Sequence, residues 1–193
     1  MKTVAIVLAA GSASRFGGNK LSAQFQGEPL VFHAIRAARA APVDTVIVIC
    51  KADIDTGNWP GNPPVRRVEF HSDAMSSSLK AGIAAAGDAH GAFVFLGDMP
   101  LVPHDVARRL SEELGNGFAA VPRRGGQPGH PVLLSAKAFR HIARLNGDEG
   151  AGKLLKQRGD VTFIDYPDEK ILLDVDRPAD LTRLENRPDG NKR

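Results

Sequence analysis

The sequence contains little of what several classes of protein require. A single cysteine, Cys50, cannot form an internal disulfide or a cysteine-based metal site, and it predicts a reducing, cytoplasmic compartment. No apolar run approaches the roughly 20 residues of a membrane-spanning helix, and the short N-terminal run predicts a first strand rather than a signal peptide. Aromatic residues make up 6% and the net charge is +3, so no nucleic-acid partner is predicted.

Both standard phosphate-loop motifs are also missing. The stretch Leu8–Lys20, LAAGSASRFGGNK, has glycines, hydroxyls and two basic residues directly after an apolar run. It is not a Walker A motif, because Leu21 stands where a magnesium-binding Ser or Thr should be, and it contains no G-x-G-x-x-G. Its small residues allow close backbone approach, and Arg15 and Lys20 supply cations for phosphate oxygens. We predict a ligand-binding loop, with an ordinary solvated loop as the alternative.

Apolar runs alternate with segments of helical periodicity through the first half of the chain. The alternation predicts an α/β fold with a Rossmann-like, doubly wound and mostly parallel sheet. We expect one domain over residues 1–186 and a frayed tail over 187–193. The principal segments are the strands Thr3–Leu8, Thr45–Cys50, Val65–Phe70 and Ala92–Leu96 and the helices Leu30–Ala41, Ser76–Ala86 and His104–Leu114.

Asp98 follows the predicted strand Ala92–Leu96, in the sequence LGDMP. A Rossmann-like order makes that strand a neighbour of Thr3–Leu8, and ligands bind beyond the carboxyl ends of such strands. Mg²⁺ takes few protein carboxylates and fills its remaining positions with water and phosphate oxygens. We therefore predict that Asp98 is a metal ligand, with a turn-forming aspartate as the alternative.

Asp174 and Asp176 alternate near the end of the chain, in LDVDRPADL. We predict an extended segment over Ile171–Val175, which would point the two carboxylates to opposite faces, so that only one faces a given metal. Asp176 is equally well explained as the cap of a helix that opens at Pro178.

Two further features have both a structural and a functional interpretation. The serines Ser76–Ser78 begin a predicted helix, where a cap is the leading interpretation and a contact to a base or ribose is the alternative. His130 lies in a Gly/Pro-rich loop that also contains Arg123, Arg124 and Gln127. The loop could bind an acidic substrate, or His130 could be an ordinary surface residue.

Six motifs in the same order resemble a known family. Leu8–Leu21 is similar to the N-terminal motif of sugar-nucleotide-type nucleotidyltransferases. More narrowly, the chain resembles the molybdenum cofactor cytidylyltransferases and their close relatives from Thr3 to about Leu184. The motifs that carry this resemblance are the stretch Ala9-Ala10-Gly11, MSSSLKAG, LGDMPLV, GQPGHPVL, GDEGAGKLL and DVDRPADL.

The resemblance implies the nucleotide-diphospho-sugar transferase type of fold and an Mg²⁺-dependent transfer of a nucleoside monophosphate from a triphosphate to an acceptor phosphate, with release of pyrophosphate. An acceptor phosphate is already a nucleophile near neutral pH, so positioning and charge neutralisation would supply the catalysis. The residues implied for the nucleotide are Leu8, Ala9, Ala10, Gly11, Ser12, Arg15, Lys20, Ser77 and Asp98. Those implied for catalysis are Arg15, Lys20 and Asp98, those for the metal Asp98 and Asp176, and those for the acceptor Gln127, His130 and Asp148.

The paired alanines before Gly11 favour CTP, because guanylyl relatives usually carry a second glycine there. GTP or ATP, and another acceptor such as methylerythritol phosphate, a sugar phosphate or a purine-catabolism cofactor, stay open as alternatives. So does a protein that binds and delivers a cofactor without turnover. The resemblance implies a molybdopterin-type acceptor, and a molybdoenzyme or its maturation chaperone as a protein partner.

Overall fold

The structure is a computed structural model that describes residues 1–11, 16–71, 75–145 and 151–187. The strands in these ranges are β1 (Thr3–Ala9), β2 (Gln24–Phe25), β3 (Glu28–Pro29), β4 (Thr45–Cys50), β5 (Val65–Glu69), β6 (Gly91–Leu96), β7 (Ala119–Arg124), β8 (Gln127–Pro128), β9 (Val132–Ser135) and β10 (Val161–Asp165). The α-helices are α1 (Leu30–Arg39), α2 (Met75–Ala86), α3 (Val106–Leu114), α4 (Ala136–Ile142), α5 (Ala151–Lys156) and α6 (Pro178–Glu185). Short 3₁₀ helices cover Lys20–Ser22 and Glu169–Leu172.

The main sheet has eight strands in the order β10-β7-β9-β6-β1-β4-β5, with β8 paired to β7. The pairs β1–β4, β1–β6, β4–β5 and β10–β7 are parallel, whereas β9 is antiparallel to both β6 and β7. The prediction of a doubly wound, mostly parallel α/β sheet is therefore confirmed. We also expected the strand before the Leu8–Lys20 loop to be a neighbour of the strand before Asp98. This is confirmed, because β1 and β6 pair directly.

Helices cover both faces of the sheet because successive residues of its central strands alternate between two apolar cores. One core joins Ala5 and Val7 of β1 to α1 and α3. The other joins Val4 and Ile6 of β1 to α2, α4 and α5. This arrangement explains why β1 is a continuous apolar run rather than an alternating one.

A third, smaller core packs the C-terminal part of the chain against the hairpin of β2 and β3 and the start of α1. It consists of Phe25, Leu30, Val175 and Leu184, all at most 2% exposed. Val175 lies between the two aspartates of the DVD sequence, so its burial holds both of them near the carboxyl end of the sheet. Arg187 adds an ion pair to Glu169, with 2.7 Å between Nη2 and Oε1. Most of the predicted tail, residues 188–193, lies outside the described residues.

The expected extended segment over Ile171–Val175 is wrong for its first two residues, whereas Leu173 does have extended backbone. Glu169–Leu172 forms a 3₁₀ helix, and an irregular segment follows it. The cause is a side-chain cap, because the Asp168 carboxylate accepts a hydrogen bond from the Lys170 backbone N–H at 2.9 Å. Among the helices in the described ranges, none has the length and apolar character needed to cross a membrane.

Gly82 allows α2 to pack closely on β1. A Cβ at this position would lie 2.5 Å from Cγ2 of Ile6, which is fully buried. We expect Gly82→Val to lower the free energy of unfolding by about 2 kcal/mol, because overpacking a filled core costs 1–3 kcal/mol. Gly152→Val in α5 is the matched control, since no atom lies within 4 Å of its Cβ position. Urea unfolding followed by circular dichroism tests this, and equal midpoints for the two variants would contradict it.

Candidate functional site

The candidate site lies where β1 and β6 end side by side. Leu8 pairs with Leu96 in the parallel register, and the Gly97 backbone N–H donates to the Leu8 carbonyl at 2.9 Å. A Cβ on Gly97 would lie 3.0 Å from that carbonyl oxygen, so glycine lets the two loops start in direct contact. The loop after β1 and Asp98 therefore share one edge of the sheet.

Lys20 and Asp98 form the central ion pair of this edge. The distance from Lys20 Nζ to Asp98 Oδ2 is 2.7 Å, and a second carboxylate oxygen, Asp176 Oδ1, lies 3.6 Å from the same nitrogen. Their side chains are only 13% (Lys20) and 23% (Asp98) exposed, so water screens the pair less than it screens a surface ion pair. Two residues predicted for catalysis thus meet although they lie 78 positions apart.

Asp174 joins Asp98 and Asp176 in a carboxylate cluster. One oxygen of each residue lies within 4.8 Å of the others. The expectation that Asp174 and Asp176 face opposite sides is wrong, because the segment is irregular and the alternation of a strand does not apply. The Val175 backbone N–H donates to the Asp98 carbonyl at 2.9 Å, which draws this segment onto the end of β6.

Asp176 is not the cap of α6. Arg177 occupies the N-cap position, and the Asp180 carboxylate accepts hydrogen bonds from the backbone N–H groups of Arg177 at 2.9 Å and Asp176 at 3.0 Å. These hydrogen bonds hold the pKa of Asp180 below its ordinary value. Because Asp180 serves the helix terminus, capping does not account for Asp176, whose carboxylate lies in the carboxylate cluster.

The cluster's electrostatics suit a divalent cation. Loss of hydration raises the pKa of Asp174 above its ordinary value, and the neighbouring charges of Asp98 and Asp176 raise it further. Lys20 offsets only part of this negative charge. Carboxylate oxygens are the donors that Mg²⁺ and Mn²⁺ prefer, so these three residues could hold such an ion.

A cleft of about 470 Å³, here called the first cavity, opens above the cluster. Six of the predicted residues line it: Leu8, Ala9, Gly11, Lys20, Asp98 and Asp176. Its lining also contains Lys51, Asp53 and Ile54, which follow β4 and which sequence reasoning missed. Since ligands of doubly wound sheets bind beyond the ends of neighbouring strands, the loop after β4 could have suggested them.

Ser78, rather than the predicted Ser77, lines the first cavity. Ser78 is 3% exposed, and its Oγ has no hydrogen-bond partner among the described residues. A buried hydroxyl without a partner costs stability unless a ligand or water completes it. Ser78 lies four residues before Gly82, on the helix face that contacts β1, and this spacing is the signal that could have found it.

A second cavity of about 380 Å³ lies beside the first, and Leu8 and Leu96 line both. Its wall is mostly apolar, and its polar groups include His130 and Lys156. The pKa of His130 lies below its ordinary value because desolvation is the largest effect. The Val94 carbonyl, 3.4 Å from Nδ1, and the charge of Asp98 act in the opposite direction and only partly offset it. The predicted acceptor residue Gln127 is exposed on β8, next to Pro128 of the second cavity.

The loop around His130 is attached to the segment that carries the carboxylate cluster. The His130 backbone N–H donates to the Ile171 carbonyl at 2.9 Å, and a Cβ on Gly129 would lie 2.5 Å from that carbonyl oxygen. The wall of the second cavity is therefore hydrogen-bonded to the segment that leads to Asp174 and Asp176.

Ala10 is fully buried in the core that includes Leu79 and Ile83 of α2, so its methyl group faces α2. The remaining predicted residues Ser12, Arg15 and Asp148 lie outside the described residues. Their roles stay predictions.

Comparison with known proteins identifies the family. The family model for MobA-like NTP transferase domains matches residues 5–161. The chain belongs to this family. The matched region contains Lys20 and Asp98, and the predicted resemblance to molybdenum cofactor nucleotidyltransferases is confirmed.

Three relatives match this nucleotidyltransferase over most of their length. The purine catabolism protein PucB of Bacillus subtilis is 29% identical, over 92% of this chain and 93% of its own. The molybdenum cofactor cytidylyltransferase of Escherichia coli is 27% identical, over 94% and 95%. The molybdenum cofactor guanylyltransferase of Cereibacter sphaeroides is 32% identical, over 96% and 97%. Relatives named for different nucleotides are thus about equally similar.

Solved structures show the same fold. Rv0371c of Mycobacterium tuberculosis matches with a TM-score of 0.83 at 26% identity, over 97% of this chain and 98% of its own. The same protein in complex with manganese matches with a TM-score of 0.75 at 27% identity, over 95% and 98%. A nucleotidyl transferase from Methanothermobacter shares the fold at 21% identity, with a TM-score of 0.78, over 96% of each chain. The predicted nucleotide-diphospho-sugar transferase type of fold is confirmed.

The lowered pKa of His130 predicts a pH-dependent stability. In the unfolded chain this histidine takes up a proton below about pH 6.5, whereas in the folded chain it does so only at lower pH. The unfolded state then binds more protons, so stability falls as the pH falls. We expect the wild-type free energy of unfolding to fall more steeply from pH 7.5 to 5.5 than that of His130→Gln. Urea unfolding in EDTA tests this, with His104→Gln, which removes an exposed histidine, as the control. Parallel profiles for wild type and His130→Gln would contradict it.

Proposed function

We propose that this family member transfers CMP from CTP to the phosphate of a molybdopterin-type acceptor, depends on Mg²⁺, and releases pyrophosphate. The observation that carries the proposal is the meeting of Lys20 with Asp98 and Asp176 at the floor of the first cavity. This arrangement joins a phosphate-binding cation to ligands for a divalent metal, as nucleotidyl transfer requires.

In the proposed reaction, an oxygen of the acceptor phosphate attacks the α-phosphorus of CTP. A bond forms between these atoms, and the bond from the α-phosphorus to the bridging oxygen breaks, so that pyrophosphate leaves with its electron pair. Lys20 offsets the negative charge that develops on the triphosphate, and Gly11 leaves room for the phosphates to approach the backbone. Asp98 and Asp176, with Asp174 beside them, would hold Mg²⁺, which supplies further charge neutralisation when bound.

The two adjoining cavities support a two-substrate reaction. The first cavity has the cation and the carboxylates, and its unpartnered Ser78 hydroxyl suits a polar nucleotide group. The second has an apolar wall that suits a flat heterocycle, with Lys156 among its lining residues to favour an anion. Because Leu8 and Leu96 line both cavities, ligands bound in them would be neighbours, which in-line attack requires.

The preference for CTP rests on Ala10. Its methyl group is buried against α2, the helix that carries Ser78. Glycine at this position would remove the methyl group and let α2 move closer to the loop after β1, which would change the position of Ser78 in the first cavity. GTP or ATP would keep the mechanism and change only the base pocket. The purine-catabolism relative keeps a different cofactor acceptor open. A sugar phosphate or methylerythritol phosphate stays open as well, because the same chemistry serves any phosphate acceptor.

The product would pass to a molybdoenzyme or its maturation chaperone. We propose a cytoplasmic reaction, in agreement with the one cysteine, Cys50, being a free and buried thiol. A cofactor-binding protein without turnover is the rival in a different class.

The decisive assay measures pyrophosphate release with Mg²⁺ and molybdenum-loaded molybdopterin, with CTP, GTP and ATP tested separately. We expect release with CTP. Ala10→Gly should shift the ratio of kcat/KM for CTP over GTP towards GTP by about tenfold, the low end of what one methyl group contributes to discrimination, because losing the methyl lets α2 and its Ser78 move relative to the loop. Ala5→Gly is the matched control, because Ala5 lies on the strand that leads to Ala10, belongs to the core on the opposite face of the sheet and lines neither cavity. Release with GTP alone would overturn the CTP proposal, and silence with all three would overturn this acceptor.

Lys20→Ala and Asp98→Ala should each lower kcat at least about tenfold while the circular dichroism spectrum stays unchanged, because each removes charge stabilisation of the transition state. Lys137→Ala is the control, since its ammonium donates to the Asn116 carbonyl on an exposed surface away from the cavities. Wild-type turnover in either site variant would overturn the site. Cofactor delivery that persists in Asp98→Ala would favour the non-catalytic rival.

A further inference from the structure

Lys20 is bound to the carboxylates that a metal would need. Its Nζ lies 2.7 Å from Asp98 Oδ2 and 3.6 Å from Asp176 Oδ1. The Lys20 side chain is 13% exposed, so the ammonium depends on these carboxylates for the contacts that water would otherwise provide. The ammonium therefore occupies a cation position in the ligand-free chain.

We propose that Lys20 is an internal counter-ion that must leave the carboxylate cluster before a divalent metal binds, so that metal and triphosphate bind this chain cooperatively. The triphosphate draws the ammonium away from Asp98, and the metal replaces it on the carboxylates. The inference deepens the proposed function and rests on it, because it concerns the regulation of the same site.

The ammonium and a metal ion cannot both keep their preferred positions on Asp98. A Mg²⁺ ion lies about 2.1 Å from each ligand oxygen. With the ammonium 2.7 Å from the same oxygen, the two cations would be less than about 5 Å apart. Like charges at this distance in a poorly hydrated cleft repel each other strongly. A metal ion that arrives alone must therefore displace Lys20 without offering the ammonium another anion.

The first cavity offers the ammonium a different partner when a triphosphate is present. Lys20 lines this cavity together with Gly11 and Ser78. The buried Ser78 Oγ has no hydrogen-bond partner among the described residues, which independently indicates a polar ligand here. A lysine side chain has a flexible four-carbon stem, so its ammonium can turn from the carboxylates to phosphate oxygens without movement of the backbone.

Such an exchange couples metal binding to triphosphate binding, and the coupling is equal in both directions. A triphosphate that removes Lys20 from the cluster raises the affinity for metal, and a metal that displaces Lys20 raises the affinity for triphosphate by the same factor. The ligand-free chain would therefore bind divalent metals weakly, even though three carboxylates lie together. This property does not follow from the carboxylates alone, which by themselves would favour tight metal binding.

Titration with Mn²⁺ in the absence of nucleotide, followed by electron paramagnetic resonance of the free ion, tests the inference. We expect Lys20→Met to bind Mn²⁺ about tenfold more tightly than the wild type, within the usual range of coupling between two sites. Lys20→Arg keeps the positive charge and should bind as weakly as the wild type. Arg177→Met removes the same charge one residue from Asp176 and should stay within about twofold of the wild type. Adding Asp98→Asn to Lys20→Met should abolish the gain, which locates the bound ion.

Equal Mn²⁺ affinity in the wild type and Lys20→Met would overturn the inference and leave the transferase proposal intact, since pyrophosphate release is measured separately. A similar gain in Arg177→Met would also overturn it, because the effect would then be one of overall charge. If no variant bound Mn²⁺ and pyrophosphate release proceeded without divalent metal, the metal-dependent part of the proposed function would fail with it. If Lys20→Met is unstable, Lys20→Gln, which also removes the charge, takes its place in the same comparison.

Discussion

The parallel pairing of β1 with both β4 and β6 is the constraint on which the rest of the molecule depends. Residues of β1 are in register with Thr45–Cys50 on one side and Gly91–Leu96 on the other. Parallel neighbours require crossover connections, and the helices that make them cover both faces of the sheet. The same pairing brings the carboxyl ends of β1, β4 and β6 to one edge of the sheet. The loop after β1, the loop after β4 and Asp98 can therefore line one cavity.

The carboxylate cluster needs a second constraint, because two of its members come from the far end of the chain. Three contacts hold their segment: the Ile171 carbonyl accepts from the His130 N–H, the Val175 N–H donates to the Asp98 carbonyl, and the Val175 side chain is fully buried. These contacts concentrate negative charge at the end of β6. The pKa of Asp174 is raised because the carboxylate is poorly hydrated and lies near two other negative charges. The Lys20 ammonium offsets part of this negative charge.

The chemistry of the family fits such a site, because nucleotidyl transfer needs positioned substrates and neutralised charge more than a protein nucleophile. A partly buried cation, three carboxylates and two cavities with a common wall supply these requirements. Relatives named for cytidylyl and guanylyl transfer match this chain about equally, which agrees with a shared transfer site and a variable base pocket.

The sequence by itself determined the α/β class, the central strands and the joint position of Lys20 and Asp98. Apolar runs identify buried parallel strands, and such strands have only one edge at which their following loops can meet. Only the tertiary structure decided that Asp174 joins Asp176, that Asp180 rather than Asp176 serves the helix terminus, and that Ser78 rather than Ser77 lines the cavity. These outcomes depend on irregular backbone and on the rotation of α2 over β1. Irregular backbone has no sequence period. The rotation of α2 is set by a distant contact, the close approach of Gly82 to Ile6, so the spacing of Ser78 and Gly82 identifies Ser78 only once that contact is known.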